Sequence, residues 1–407
     1  MIYLDNAATS HPKPESVYRQ IDFVLRNYSA NPGRSGHRMA IEANRVIFEG
    51  RESVARLFNI RHPERIIFTC NATAALNLAL KGILQPGDHC VTSDMEHNSI
   101  VRPLKFLSQQ GVNVHGVRAS REGSLDPDEI SSAINCETRL IAVTHASNVI
   151  GTITPVAEII KAAHDKEVPV LIDAAQTAGS VPIDVEALGV DLLACPGHKG
   201  LFGPQGTGFL YVSPNINLSP TVFGGTGSRS DLDRMPDFLP DRYEAGTLNT
   251  PGIAGLGAGA EFIYAEGIET VRAHEMHILS RLIEGLSGIP KVKVYGTKDI
   301  ERRAAVVSFT IEGVDPAVVG DTLDTDFAIA VRVGIHCAPD AHKVIGSYPK
   351  GTVRMSPGYF TTQEDIDRAI ETIGAIAGDK KNYRTLSLTA PTLPSSADGE
   401  GNGKWPL

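Results

Sequence analysis

The residues best suited to do chemistry lie at the ends of two apolar runs. Lys199 follows VDLLAC in the stretch CPGHKGLFGPQGTGFLYV, and Asp173 closes VPVLID upstream. A lysine at a strand end, flanked by residues that allow close backbone approach, can form a Schiff base if a pocket lowers its pKa. An aspartate at a strand end could keep the nitrogen of a pyridinium ring protonated, which makes such a ring an electron sink. Singly, each has a plainer account. A lysine after a strand is usually solvated, and an aspartate there is commonly a cap.

A second pair stands further along, in AIAVRVGIHCAPDAHKVIGSYPKGTVRMSPG. The run AIAVRVG reads as a strand that leads into His336 and Cys337, so the thiol stands at the start of a loop or helix. A cysteine near a helix N-terminus and a histidine can have a lowered pKa, and the thiolate is the nucleophile. Arg354 follows 17 residues on, and its planar fork suits a carboxylate better than lysine would. On the residues alone, an inert core thiol and a surface ion-pair partner are the simpler account. The other cysteines, Cys70, Cys90, Cys136 and Cys195, read as small buried hydrophobes. Five cysteines with no CxxC and no histidine pair at zinc spacing argue against a disulfide framework or a metal site.

The 407 residues suggest two or three folding units, and 42% hydrophobic with 21% charged residues is a globular composition. A net charge of −9 argues against a nucleic-acid or anionic-membrane surface, although a local basic pocket for one phosphate stays open. MIYLDNAATSHP has no basic or apolar signal region, and GIAGLGAGAEFIYA contains Glu261 and is too short to span a bilayer. A cytoplasmic enzyme is expected.

From about residue 62 to 212, seven strand-like runs alternate with helical patterns: ERIIFTC, HCVTS, NVHGV, RLIAVTH, VPVLID, VDLLAC and GTGFLYV. That alternation implies α/β architecture, a mostly parallel sheet wrapped by helices. One long helix is expected from Glu261 to Leu286, leading into an α+β layer of VKVYG, AAVVSFTI, FAIAVRVG and GTVRMSP, closed by EDIDRAIETIGAIA. The expected division is an N-terminal segment at 1–14 packing with the small domain, a large domain at 15–260 and a small domain at 261–378. A Ser-, Thr-, Pro- and Gly-rich tail at 379–407 is expected to lack a core.

Taken together these features resemble the fold-type I pyridoxal-phosphate enzymes, specifically the class V aminotransferase-like group. Within it, the chain resembles the SUF-type (group II) cysteine desulfurases and selenocysteine lyases. The likeness rests on YLDNAAT, NATAALNLAL, MEHNSIV, THASNVIGT, LIDAAQT, GHKGLFGPQGTGFLYV, EAGTLNT and RVGIHCAP, in that order. It covers nearly everything except the tail. It implies a cofactor, pyridoxal 5'-phosphate, held by Lys199, with Asp173 on the ring nitrogen and Gln176 on the phenolic oxygen. His97 matches the histidine stacked on the ring and suited to proton transfer, and Asn148 an asparagine near the ring oxygen and substrate carboxylate.

The phosphate should sit where NATAALN opens a helix, because free N–H groups and the helix dipole favour an anion there. The resemblance adds Thr73 and His198 as ligands, and Thr247 as a ligand donated by the neighbouring subunit of a homodimer. Plain helix capping is the bland account of Thr73. Relatives often carry hydroxyls where this chain has Ala72 and Pro196, and each loss is worth about 1–2 kcal/mol.

By the same resemblance Cys337 accepts the substrate sulfur as a persulfide and Arg354 forks onto the substrate carboxylate. Arg332 and His336 have support roles, and His37 lines the entrance from the partner subunit. The implied reaction takes L-cysteine to L-alanine and passes sulfur to a protein acceptor, for iron–sulfur cluster assembly or another use. Two alternatives stay open: a lyase for L-selenocysteine or another substrate in which Cys337 is not essential, and a non-catalytic sulfur-transfer scaffold.

Overall fold

The computed structural model describes residues 1–33 and 36–378; the tail expected at 379–407 lies outside the described residues. The chain opens with strand β1 (Ile2–Tyr3) and helices α1 (Glu15–Asn27) and α2 (Arg38–Leu57). The main sheet follows: β2 (Ile66–Thr69), β3 (His89–Ser93), β4 (Asn113–Val117), β5 (Thr138–Thr144), β6 (Val170–Asp173), β7 (Leu192–Pro196) and β8 (Gly208–Val212). Between these strands lie α3 (Ala72–Ile83), α4 (Asn98–Gln109), α5 (Pro127–Ala133), α6 (Val156–His164) and α7 (Val185–Leu188).

All seven runs read as strands join one sheet, in the order β2-β8-β7-β6-β5-β3-β4. β4, β3, β5, β6 and β7 pair in parallel, while β8 runs antiparallel to both neighbours. β6 and β7 are buried along their whole length, as strands covered by helices on both faces must be. One core, with Val143, Ile172 and Leu193, lies on one face of the sheet; another, with Ala142, Leu171 and Leu192, lies on the other.

The single long helix expected from Glu261 is two helices. α8 (Thr250–Glu266) ends at Gly267, whose φ of +82° a side chain would resist, and α9 (Ile268–Gly288) starts anew. The apolar periodicity runs on past the glycine and hides the break. α8 buries most of its residues against α1 and α2, which accounts for its apolar sequence. No helix among the described residues is long and apolar enough to cross a membrane.

The second layer comprises β9 (Val292–Tyr295), β10 (Val307–Ile311), α10 (Pro316–Phe327), β11 (Ile329–Ala330), β12 (Arg332–Gly334), α11 (Pro339–Ile345), β13 (Thr352–Met355) and α12 (Gln363–Gly378). Its antiparallel sheet has the order β12-β13-β10-β9, and its core takes in α9 and α12. Leu4 is buried in that core, and β1 pairs in parallel with β11. Of the four cysteines read as buried, Cys90 and Cys195 are. Cys70 and Cys136 are exposed, because both lie just past strand ends or in loops rather than within the strands.

Candidate active site

The ends of β5, β6 and β7 and the starts of α3 and α4 enclose a cavity of about 180 Å³. Ligands in open α/β sheets bind at the carboxyl ends of parallel strands, where loops are free to converge. Eight sequence-predicted residues line this cavity: Ala72, Thr73, His97, Asn148, Asp173, Gln176, His198 and Lys199. They come from segments as far apart as α3 and the loop after β7, so their convergence is a property of the topology.

Lys199 is half-buried. Burial pushes its ammonium down to about 8 against the support of Asp173, and Arg354 and Arg332 push the same way. Asp173 is 3% exposed, and burial raises its carboxyl; the Ala175 N–H, 2.9 Å from Oδ1, and Lys199 oppose the rise. Burial, helped by Lys199 and the arginines, holds His97 down at about 4, so its imidazole is neutral at neutral pH. Its Nδ1 also accepts the Ser99 N–H at 3.1 Å, which makes it the N-cap of α4 as well as a cavity wall.

At the other helix, Asn71 caps α3 by accepting the Ala74 N–H at 2.9 Å. The N–H groups of Ala72 and Thr73 have no partner within the helix. The start of α3 lies hard against β8: a Cβ on Gly208 would stand 2.9 Å from the Asn71 Cα. Ser99, which the sequence reading left out, puts its hydroxyl 2.8 Å from that of Thr73 and 2.9 Å from His97 Nδ1. It thus adds a hydroxyl where Ala72 has none. Its signal was its place in MEHNS, two residues past His97, at the mouth of a second helix. Thr144, also unread, contributes the end of β5.

Cys337 lies beyond the cavity, on a loop tied to its wall. The Asn148 side-chain amide donates to the His336 carbonyl at 2.6 Å, and the Asn98 N–H to the Cys337 carbonyl at 2.8 Å. His336 and Cys337 both take positive φ, +45° and +58°, a costly backbone that these bonds hold in place. The histidine beside the thiol does not serve it. His336 is buried, its Nε2 lies 3.1 Å from the Thr352 hydroxyl, and burial drives its pKa far down. The cation at the thiol is Arg332, with Nη2 3.8 Å from Sγ.

Arg354 is not at the surface: it is 2% exposed. Its Nη1 donates to the Asn148 carbonyl at 3.0 Å, its Nη2 to Asp5 at 2.7 Å, and its Nε is buried without a partner. Asp5 lies in YLDNAAT, where sequence alone assigns it no role. Two further predicted residues stand apart from the cavity and, unlike Cys337 and Arg354, have no tie to its wall among the described residues. Thr247 is exposed at the edge of a separate groove of about 550 Å³, its hydroxyl 3.5 Å from Asn31, and exposed His37 caps α2.

A mostly parallel sheet with a buried aspartate and a lysine of lowered pKa at its strand ends defines a class of enzyme that the comparisons identify. Residues 2–369 match the aminotransferase class-V family, and the chain belongs to that family, which is dependent on pyridoxal 5'-phosphate. A "Probable cysteine desulfurase" from Methanothermobacter thermautotrophicus is 39% identical over 93% of this chain and 95% of its own. A cysteine desulfurase from Dickeya dadantii is 33% identical over 91% and 90%. The solved apo structure of the cysteine desulfurase from Thermococcus onnurineus NA1 superposes with a TM-score of 0.87 at 34% identity, covering 92% and 94%. Within the class-V family, these relatives are cysteine desulfurases.

Proposed function

We propose that this chain is a cytoplasmic, SUF-type cysteine desulfurase that converts L-cysteine to L-alanine and holds the sulfur as a persulfide on Cys337. The observation that carries the reading is one cavity lined by Lys199, Asp173, Gln176 and His97, joined through Asn148 to the Cys337 loop. What supports the cofactor is the donor set. His198 Nδ1 is buried without a partner beside the free N–H groups of α3 and the hydroxyls of Thr73 and Ser99, a fit for a phosphate. Asp173 is a buried carboxylate suited to a protonated ring nitrogen, and Gln176 offers an amide to the phenolic oxygen. Bound there, pyridoxal 5'-phosphate would supply an electron sink for charge developing at the substrate Cα.

The chain's own groups do the rest. Lys199 would hold the cofactor, and its neutral amine takes the Cα proton through Nζ. His97, neutral at neutral pH, accepts or returns a proton at the same face. Arg354 and Asn148 hold the substrate carboxylate. Sγ of Cys337, with the Arg332 guanidinium beside it, bonds to the substrate sulfur as the carbon–sulfur bond breaks. The balance is L-cysteine plus enzyme thiol giving L-alanine plus enzyme persulfide, with no external oxidant. A protein thiol then takes the outer sulfur. The SUF-type reading draws support from the compact stretch between Cys337 and Arg354, most of it α11 and its caps.

The active unit is proposed as a homodimer. Thr247 stands outside its own chain's cavity, as a ligand for a partner's phosphate would; Phe48, which lines the groove, is 54% exposed, and Ile41 and Phe223, near groove residues in sequence, are 58% and 73% exposed. His37 is proposed at the partner's entrance.

The experiment is an alanine assay on L-cysteine with the parent and Cys337→Ala, alongside the absorbance spectrum. The parent should form alanine, and the variant should keep the chromophore while falling below about 1% of the parent rate. Parent-level alanine from Cys337→Ala would overturn the mechanism. L-Selenocysteine, whose selenium leaves more readily, serves as the comparison substrate.

A further inference from the structure

The segment Tyr3–Lys13 crosses the rim of the site as a strap. The Ala7 carbonyl accepts from Gln176 Nε2 at 3.2 Å. The Ser10 N–H and the Thr9 hydroxyl each donate to the His198 carbonyl at 3.0 Å, one residue before Lys199. Asp5 bridges in parallel to Ser356, which places its carboxylate on Arg354. One short stretch thus touches the ring-oxygen glutamine, the lysine loop and the substrate arginine.

Arg354 requires such a partner. It stands opposite Arg332 in the β12–β13 register, and it is almost wholly removed from water. Like charges set directly across an antiparallel pair are destabilising, and a buried guanidinium without a counter-charge is more so. Asp5 occupies one hydrogen of Nη2 and the Asn148 carbonyl one of Nη1, which fixes the plane of the fork. Nε and the remaining hydrogens are left for another acceptor.

We propose that Asp5 is a positioning residue for that reaction: by holding Arg354 Nη2 it sets the plane in which the guanidinium receives the α-carboxylate of the substrate. This rests on the reading of Arg354 as the carboxylate site. Asp5 does not touch the reacting atoms, so its effect falls on substrate binding and passes through Arg354. Its charge also reaches Lys199, whose ammonium it supports against Arg354 and Arg332.

The test uses the full-length holoenzyme. Asp5→Ala should raise the KM for L-cysteine by about tenfold or more with kcat within about threefold, the loss expected for one charged hydrogen bond. Binding of L-alanine, followed by absorbance without turnover, should weaken by a similar factor. Asp5→Asn, which keeps an acceptor for Nη2, should recover most of the loss. In an Arg354→Ala background, Asp5→Ala should add less than about twofold, because a residue acting through Arg354 has nothing left to position. Should Asp5→Ala fail to fold, Asp5→Glu keeps the charge but displaces the acceptor, and should still raise KM. Cofactor-stripped Asp5→Asn should show Lys199 reacting with an amine reagent at lower pH than the parent.

A parent-like KM in Asp5→Ala, or the same loss with and without Arg354, would overturn the inference. An Arg354→Ala enzyme with the parent KM would overturn the carboxylate reading as well, so the two failures are told apart by one extra variant.

Discussion

Arg332 and Arg354 face each other across the antiparallel β12–β13 pair, one beside the Cys337 thiol and the other beside Asp5. Two cations in direct register are unfavourable unless each has its own anion. On the proposed mechanism the arrangement divides the substrate between them, sulfur toward Arg332 and carboxylate toward Arg354.

Truncation of the two arginines should give different kinetic signatures. Arg354→Ala is expected to raise the KM for L-cysteine by about 10- to 100-fold, the worth of a charged fork. Arg332→Ala is expected to lower kcat by a comparable factor with a smaller change in KM, because its contact is to the attacking sulfur. Steady-state alanine formation measures both, and matching signatures would contradict the division.

The lowered pKa of Lys199 can be read on cofactor-stripped protein. Burial disfavours the ammonium, so the reactive neutral amine predominates above about 8 rather than above the usual 10.5. Acylation of Lys199 followed by peptide mass spectrometry should show its midpoint near the lower value. Asp173→Asn should move the midpoint lower still, since Asp173 supports the charged form. An ordinary lysine profile would remove the electrostatic argument.

Glu275, on α9, is 6% exposed, and burial raises its carboxyl to about 8. A folded-state pKa above the unfolded value gives stability that is full below about pH 4.5 and drains away as pH climbs through about 8. Glu275→Gln should therefore melt at least about 2 °C above the parent at pH 9, with the advantage shrinking toward pH 5. Melting curves at the two pH values test it, and an advantage equal at both would assign the effect to packing.

Arg51 and Glu244 form a buried two-pronged pair with distances of 2.8 and 2.9 Å, and Glu244 also accepts the Phe68 N–H at 2.6 Å. Removing one partner strands the other. Glu244→Ala should cost about 3–5 kcal/mol in denaturant unfolding, and the loop bearing Thr247 should become more open to proteolysis. A loss under about 1 kcal/mol would mean that the pair is solvated and weak.

Much of this was legible because parallel strands buried on both faces must be continuous apolar runs. RLIAVT, VLID and LLAC carry that demand openly, and the strand ends then locate Asp173 and Lys199. The helix break at Gly267 was hidden because apolar spacing continues across it, whereas a left-handed φ leaves its mark only in the choice of glycine. Cys70 and Cys136 were misread as buried because cysteine is usually a buried residue, whereas Cys70 lies just past β2 and Cys136 in the loop before β5. The roles of Asp5 and of the Ser99–Thr73 contact were hidden for a different reason. Asp5 acts through a residue 349 positions away that nothing in the local sequence names, whereas Ser99's link to Thr73 on α3 exists only because the fold brings the two helix starts together.

The strap that joins Asp5 to Arg354 has a consequence for the order of manufacture. The first 250 residues contain every residue lining the cavity proposed for the cofactor, so that half of the site can take shape on a chain still leaving the ribosome. Cys337, the two facing arginines and the bridge at Ser356 come from the last part to be made, and the strap can find them only after synthesis has passed that point. On the proposed reading, a nascent chain thus completes the cavity for the cofactor before it completes the groups that meet the amino acid.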